Sequence, residues 1–207
     1  MELRRLPMGA RTTRKGWLMG TAVKLSEAPF IDAAHALNFA YAEETRVFCK
    51  TSTAISDLTG GTVRIAAPMT PHDRMTQASF VLSLMRRSVP EQMRDALDAY
   101  YTVPEGITLE GRKDLAIRML SHRLWEDMGR TPDRWYLADA TRGWSRHNRR
   151  HHDDTWWAKH LSTSDRTLRN WRKGWGDNQG LDKRLAHLLE SAHARAGDAF
   201  RDAGLCE

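Results

Sequence analysis

Cysteine is scarce in this chain. Cys49 and Cys206 are the two among 207 residues, too few for a disulfide framework or a metal-ligand set of their own. A reducing cytoplasm is the expected compartment. No apolar run approaches the roughly 18 residues that read as a spanning helix, so no membrane partner is expected. The basic stretch Met1–Leu18 lacks the apolar core and small-residue cleavage site of a secretory leader. Alternating β-type patterning is also scarce, the one short candidate strand being Thr62-Val63-Arg64-Ile65. Gly60-Gly61 lacks the Gly-Lys-Ser/Thr element of a phosphate loop, and no Gly-x-Ser-x-Gly elbow is present. No cofactor and no enzymatic activity are expected.

Charge and tryptophan are plentiful, and both are unevenly placed. The chain carries 32 Lys+Arg against 26 Asp+Glu, a net of +6. Residues 1–111 hold 13 basic and 12 acidic side chains, residues 112–175 hold 15 and 8, and residues 176–207 hold 4 and 6. The excess therefore sits in the middle block, at +7. Of eight Trp, seven lie in that block: Trp125, Trp135, Trp144, Trp156, Trp157, Trp171 and Trp175. A basic segment interleaved with aromatics is the electrostatic footprint of a nucleic-acid binder, because phosphate contacts by Lys and Arg release condensed counterions.

Apolar residues recurring at three and four positions predict an all-α fold. Helices are expected over 30–50, 72–88, 90–101 and 112–128, with Gly129 closing the last at its C-terminus. A fifth is expected to start at Thr131-Pro132-Asp133, with Pro in the first turn. A long final helix spans about 181–203, with Leu181, Leu185, Leu188, Ala192, Ala196 and Phe200 in a stripe suited to packing or to a homodimer seam. The expected organisation is a basic arm over 1–28 (Arg4, Arg5, Arg11, Arg14, Lys15), a helical core or interaction region over 29–111, and a DNA-binding region with a packing helix over 112–207.

The sharpest local pattern runs from Thr155 to Gly174 and reads as helix, tight turn, helix. Trp157, Ala158, Leu161, Leu168 and Trp171 fall where two helices would share a small core. Alanine at 158 suits the close approach after a short turn. Ser164 or Thr163 is a good N-cap for the second helix. With that inner face set, Asp165, Arg166, Arg169, Asn170 and Lys173 point outward. Ser164 at the amino end, Asp165, Arg166, Arg169 and Asn170 are the candidate base contacts, since Arg suits guanine and Asn suits adenine. Arg142, Arg146, Arg149, Arg150, Arg172 and Lys173 are the candidate phosphate contacts.

Residues 155–174 resemble the helix-turn-helix unit of phage and bacterial DNA-binding regulators. The pattern departs in the turn: many members have Gly followed by Val or Ile, where this chain has Ser162-Thr163. The runs His72-Asp73-Arg74-Met75-Thr76-Gln77-Ala78 and Leu97-Asp98-Ala99-Tyr100-Tyr101 are similar to late-gene antiterminators of the Q type. Together these resemblances imply a transcription regulator of duplex DNA in a bacterial host cell, with RNA polymerase as a candidate second partner. Two alternatives stay open. One is a metal-dependent nuclease built on His147, His151, His152, Asp153 and Asp154, with His147 and His151 one helical turn apart. The other is a packaging or assembly protein that docks on DNA.

Overall fold

The computed structural model describes residues 28–48, 70–176 and 178–207. Residues 1–27 of the basic arm expected over 1–28, the strand expected at 62–65 and Cys49 lie outside them. The described residues form eight helices and one small hairpin. In chain order these are α1 (Ala33–Phe48), α2 (Pro71–Ser88), α3 (Glu91–Tyr101), α4 (Gly106–Asp127), α5 (Arg134–Trp144), α6 (Asp154–His160), α7 (Asp165–Lys173), β1 (Gly174–Trp175), β2 (Asn178–Gln179) and α8 (Leu181–Asp202). The all-α reading holds. No described helix is long and apolar enough to cross a membrane.

Local chemistry sets where the helices begin. Thr70 and Asp73 form a reciprocal capping box, each side chain accepting the other's backbone N–H at 3.2 Å, so α2 starts at Pro71. Asp133 accepts the N–H groups of Trp135 and Tyr136, both at 2.9 Å. Asp133 is therefore the cap of α5 and Pro132 precedes it, whereas the sequence pattern placed Pro132 inside the first turn. The Pro132 carbonyl accepts the Trp125 indole N–H at 2.9 Å. Gly129 follows α4 with a positive φ, as expected of a residue just past a helix end.

One helix starts earlier than its sequence suggests. The stretch 103–111 reads as a linker because Gly106 and Gly111 count as breakers. In the structure α4 already runs from Gly106, and Leu109 is buried. An interior glycine costs only about 1 kcal/mol against Ala, which the burial of Leu109 offsets. The domain boundary expected at 111/112 therefore falls inside a continuous helix.

Two apolar clusters share α3 and α8. The first gathers Phe30, the inner faces of α1 and α2, Leu97 and Tyr101 of α3, and Ala192, Ala196 and Phe200 of α8. The second gathers Ala96 and Ala99 of α3, the buried seams of α4 and α5, Trp157, Leu168, and Leu181 and Leu185 of α8. The α8 stripe thus joins both clusters within one chain, so its apolar face is core and not the dimer seam that the sequence also allowed. The residues before α1 are also tied to those after α8, Phe30 donating its N–H to the Leu205 carbonyl at 3.0 Å.

Candidate nucleic-acid interface

The pair α6–α7 is built by two caps and a turn. Asp153 caps α6 by accepting the Trp156 N–H at 2.7 Å, and Ser164 caps α7 by accepting the Thr167 N–H at 3.2 Å. Between them, the Thr163 N–H reaches the Ala158 carbonyl at 2.9 Å and the Ser162 N–H reaches that of Lys159 at 3.3 Å. This is a Schellman closure, which needs a left-handed residue at its centre. That residue is Ser162, with φ +49. The departure of the turn from Gly thus falls on the position where glycine is favoured, and the geometry is reached with serine.

All five expected inner residues face the second cluster. Trp157 and Leu168 are buried, with Ala158, Leu161 and Trp171 packed against them. Tyr136 of α5, fully buried, sits edge-on to Trp157 with ring centres 5.8 Å apart and tilted against Trp171 at 5.6 Å. Its hydroxyl lies 3.3 Å from both the Leu168 carbonyl and an Asp154 oxygen. Burial, then the Asp154 charge, raise the Tyr136 pKa, so the phenol stays a donor.

Two carboxylates hold this unit in place: Asp139, which the sequence pattern did not single out, and Asp154, which it offered only as a metal ligand. Buried Asp139 of α5 accepts the His151 N–H at 2.6 Å, the His152 N–H at 3.3 Å and the Trp157 indole N–H at 2.8 Å. It thereby fixes the irregular segment leading into α6. Asp154, at the start of α6, pairs with Arg150 at 2.7 Å and Arg172 at 3.3 Å. Partial burial pushes its pKa up, but the Arg150 hydrogen bond and the charges of Arg150 and Arg172 outweigh it and hold the carboxyl below its ordinary value. Arg172 also reaches Asp182 of α8 at 3.5 Å, so one guanidinium links α6, α7 and α8.

These contacts divide the candidate phosphate residues. Arg142 is paired to Asp114 at 2.7 Å, Arg150 to Asp154 with its guanidinium over the Tyr136 ring, and Arg172 to Asp154 and Asp182. All three are partly buried and engaged by carboxylates of the chain, unlike the remaining candidates. Arg146 is exposed and donates to the Asn38 side chain. Arg149 and Lys173 are exposed, with no ion pair among the described residues.

The candidate base contacts share one side of α7. Ser164, Asp165, Arg166 and Arg169 are exposed and Asn170 is half-buried. Arg166 and Arg169, like Lys173, have no ion pair among the described residues. The Ser164 oxygen is engaged in the cap, and Asp165 lies in the first turn, where a negative charge suits the helix dipole. Lys159 on α6 is a further exposed cation without an ion pair. Its position opposite Trp157 on the helix was available to a periodicity reading.

The histidine cluster does not assemble. Residues 145–153 carry no helix, so His147 and His151 are not one turn apart. Among the described residues no group of three His, Cys, Asp or Glu side chains could hold a metal. His147 is half-buried beside Lys113. Burial, then Lys113 and Arg146, lower its pKa to about 4. His152 and His160 instead stack on the two sides of Trp156, at 3.7 and 4.6 Å between ring centres. Asp153 caps α6. No family model, curated protein or solved structure matches the chain.

Proposed function

We propose that the protein binds duplex DNA in a sequence-dependent manner, with α7 as the element that enters the major groove. The observation that carries this reading is the division of α7 into two faces. Leu168 is fully buried against Trp157 and Tyr136, while Arg166, Arg169 and Lys173 extend outward and form no ion pair among the described residues. Unpaired cations on one side of a rigid helix are what a phosphate-lined groove attracts, and Arg at two of these positions can offer bidentate bonds to guanine. Arg149, Arg146 and Lys159 supply further positive charge next to the pair for backbone contacts.

Of the runs behind the antiterminator resemblance, the second packs, with Leu97, Ala99 and Tyr101 buried and Asp98 accepting the Tyr41 hydroxyl at 2.7 Å, while His72, Asp73, Met75 and Thr76 of the first are exposed. The proposal accordingly rests on α6–α7 and names duplex DNA as the partner.

The test is selection of bound duplexes from a random pool, followed by gel-shift titration of variants. Arg169→Ala is expected to cost about 1–3 kcal/mol on the selected site and to relax preference at one position. Arg149→Ala is expected to weaken all duplexes alike and to reduce the salt slope by about 1. Equal loss on every sequence from Arg169→Ala would remove α7 from base reading. Failure of the wild-type chain to retain any duplex at low salt would sink the proposal.

A further inference from the structure

The hairpin that follows α7 carries an unexplained feature. Trp175 is 70% exposed, although six other tryptophans of the same block find at least one partner ring, hydrogen bond or cation. Its position is nevertheless built. Gly174 ends α7 at φ +87 and ψ +165, a conformation open essentially to glycine, while its N–H still reaches the Asn170 carbonyl. The chain then reverses: Gly174 pairs with Gln179 and Trp175 with Asn178. Gly180 closes the hairpin so tightly that a Cβ there would lie 2.2 Å from the Gly174 nitrogen and 2.3 Å from the Arg172 carbonyl oxygen. Arg184 of α8 donates to the Gln179 carbonyl at 2.9 Å, and Arg172 ties α7 to α8 at the base of the same hairpin. The indole is thus presented to solvent from a strand whose ends are tied to α7 and α8.

We propose that Trp175 is a second, sequence-independent contact to the same duplex, lying on the deoxyribose–phosphate backbone beside the site entered by α7. This rests on the reading of α7 given above. Trp175 follows Lys173 by two residues, so their Cα atoms are at most about 7 Å apart. That is at most about two base-pair steps of roughly 3.4 Å along the duplex axis. Lys173 is exposed and unpaired among the described residues, which places a phosphate-seeking cation next to the ring. The indole offers an apolar body to sugar carbons and one N–H donor to a phosphate oxygen. Being uncharged, it releases no counterions.

The experiment compares the full chain with Trp175→Ala on a selected duplex, a scrambled duplex and a single strand, across a salt series, with footprinting. Circular dichroism and thermal melting confirm that the variant is folded. The expected result is about tenfold weaker binding to both duplexes, unchanged sequence preference, an unchanged salt slope and lost protection at one edge of the footprint. The emission of the wild-type chain minus that of Trp175→Phe should change when duplex is added. If wild type binds duplex and Trp175→Ala binds it equally well with the same footprint, the Trp175 contact is overturned and the reading of α7 stands. Loss confined to the single strand overturns it too. If wild type binds no duplex, both proposals fall together.

Discussion

Ser162 holds a backbone conformation that most side chains avoid. A left-handed residue with a Cβ costs roughly 1–2 kcal/mol, and the turn keeps it because the Thr163 and Ser162 N–H groups satisfy the carbonyls at the end of α6. The same closure after α4 uses Gly129, with N–H bonds to Glu126 and from Arg130 to Trp125. Ser162→Gly is therefore expected to stabilise the fold. Relief of the Cβ penalty exceeds the added chain entropy of glycine, about 0.5–1 kcal/mol, leaving a net gain of about 0.5–1 kcal/mol. Urea unfolding followed by circular dichroism checks it. A loss of stability would mean that the serine hydroxyl contributes more than the backbone geometry suggests.

Each helix of the α6–α7 pair takes its length from local caps and its placement from α5. The irregular segment 145–153 would be free to vary were it not for Asp139, whose two oxygens take three N–H groups from His151, His152 and Trp157. Asp139→Ala leaves those donors buried or half-buried without a partner. The expected cost is about 3–5 kcal/mol, each orphaned donor contributing about 1–3 kcal/mol with partial relief from water. Because the lesion lies at the entrance to α6, amide hydrogen exchange should accelerate in α6 and α7 before it does in α1 and α2. Uniform acceleration across the chain would show that Asp139 supports the whole core and does not anchor this pair in particular. Asp139 carries no motif in the sequence, and Asp154 reads there as part of a metal cluster that the fold does not assemble. Their partners are fixed by how helices pack. The early start of α4 is hidden in the sequence for a related reason: Gly106 and Gly111 are local breaker signals, and burial of Leu109 overrides them.

Across the whole molecule, titration couples the clusters to pH. His147 has a folded pKa of about 4 against an ordinary value of 6.5, with burial the largest cause, followed by Lys113 and Arg146. The unfolded chain binds this proton first as pH falls. His147 thus contributes stability above about pH 6.5, and that contribution is lost between about pH 6.5 and about pH 4. Lys113 has the same sign on the alkaline side. Burial, then Arg142, lower it to about 8, so its contribution rises as pH increases from about 8 to its ordinary value of 10.5. Melting temperature is therefore expected to fall on acidification below pH 6.5, and His147→Gln is expected to flatten that slope. An unchanged slope in the variant would assign the acid sensitivity to other groups.

The all-α class, most helix bounds and the inward face of α6–α7 were legible in the chain itself. These depend on spacing within one helix and on caps a few residues away, as with Ser164 and Thr167 or Asp133 and Tyr136. The outward cations of α7 followed by subtraction once Leu168 and Trp171 were assigned inward. Which arginines remain available was decided only by tertiary structure. Arg142 meets a carboxylate 28 residues away and Arg172 one 18 residues away, pairings that no local period encodes. The fate of the α8 stripe is of the same kind: an apolar face shows that something must cover it, and only the assembled helices show that the chain's own two clusters do.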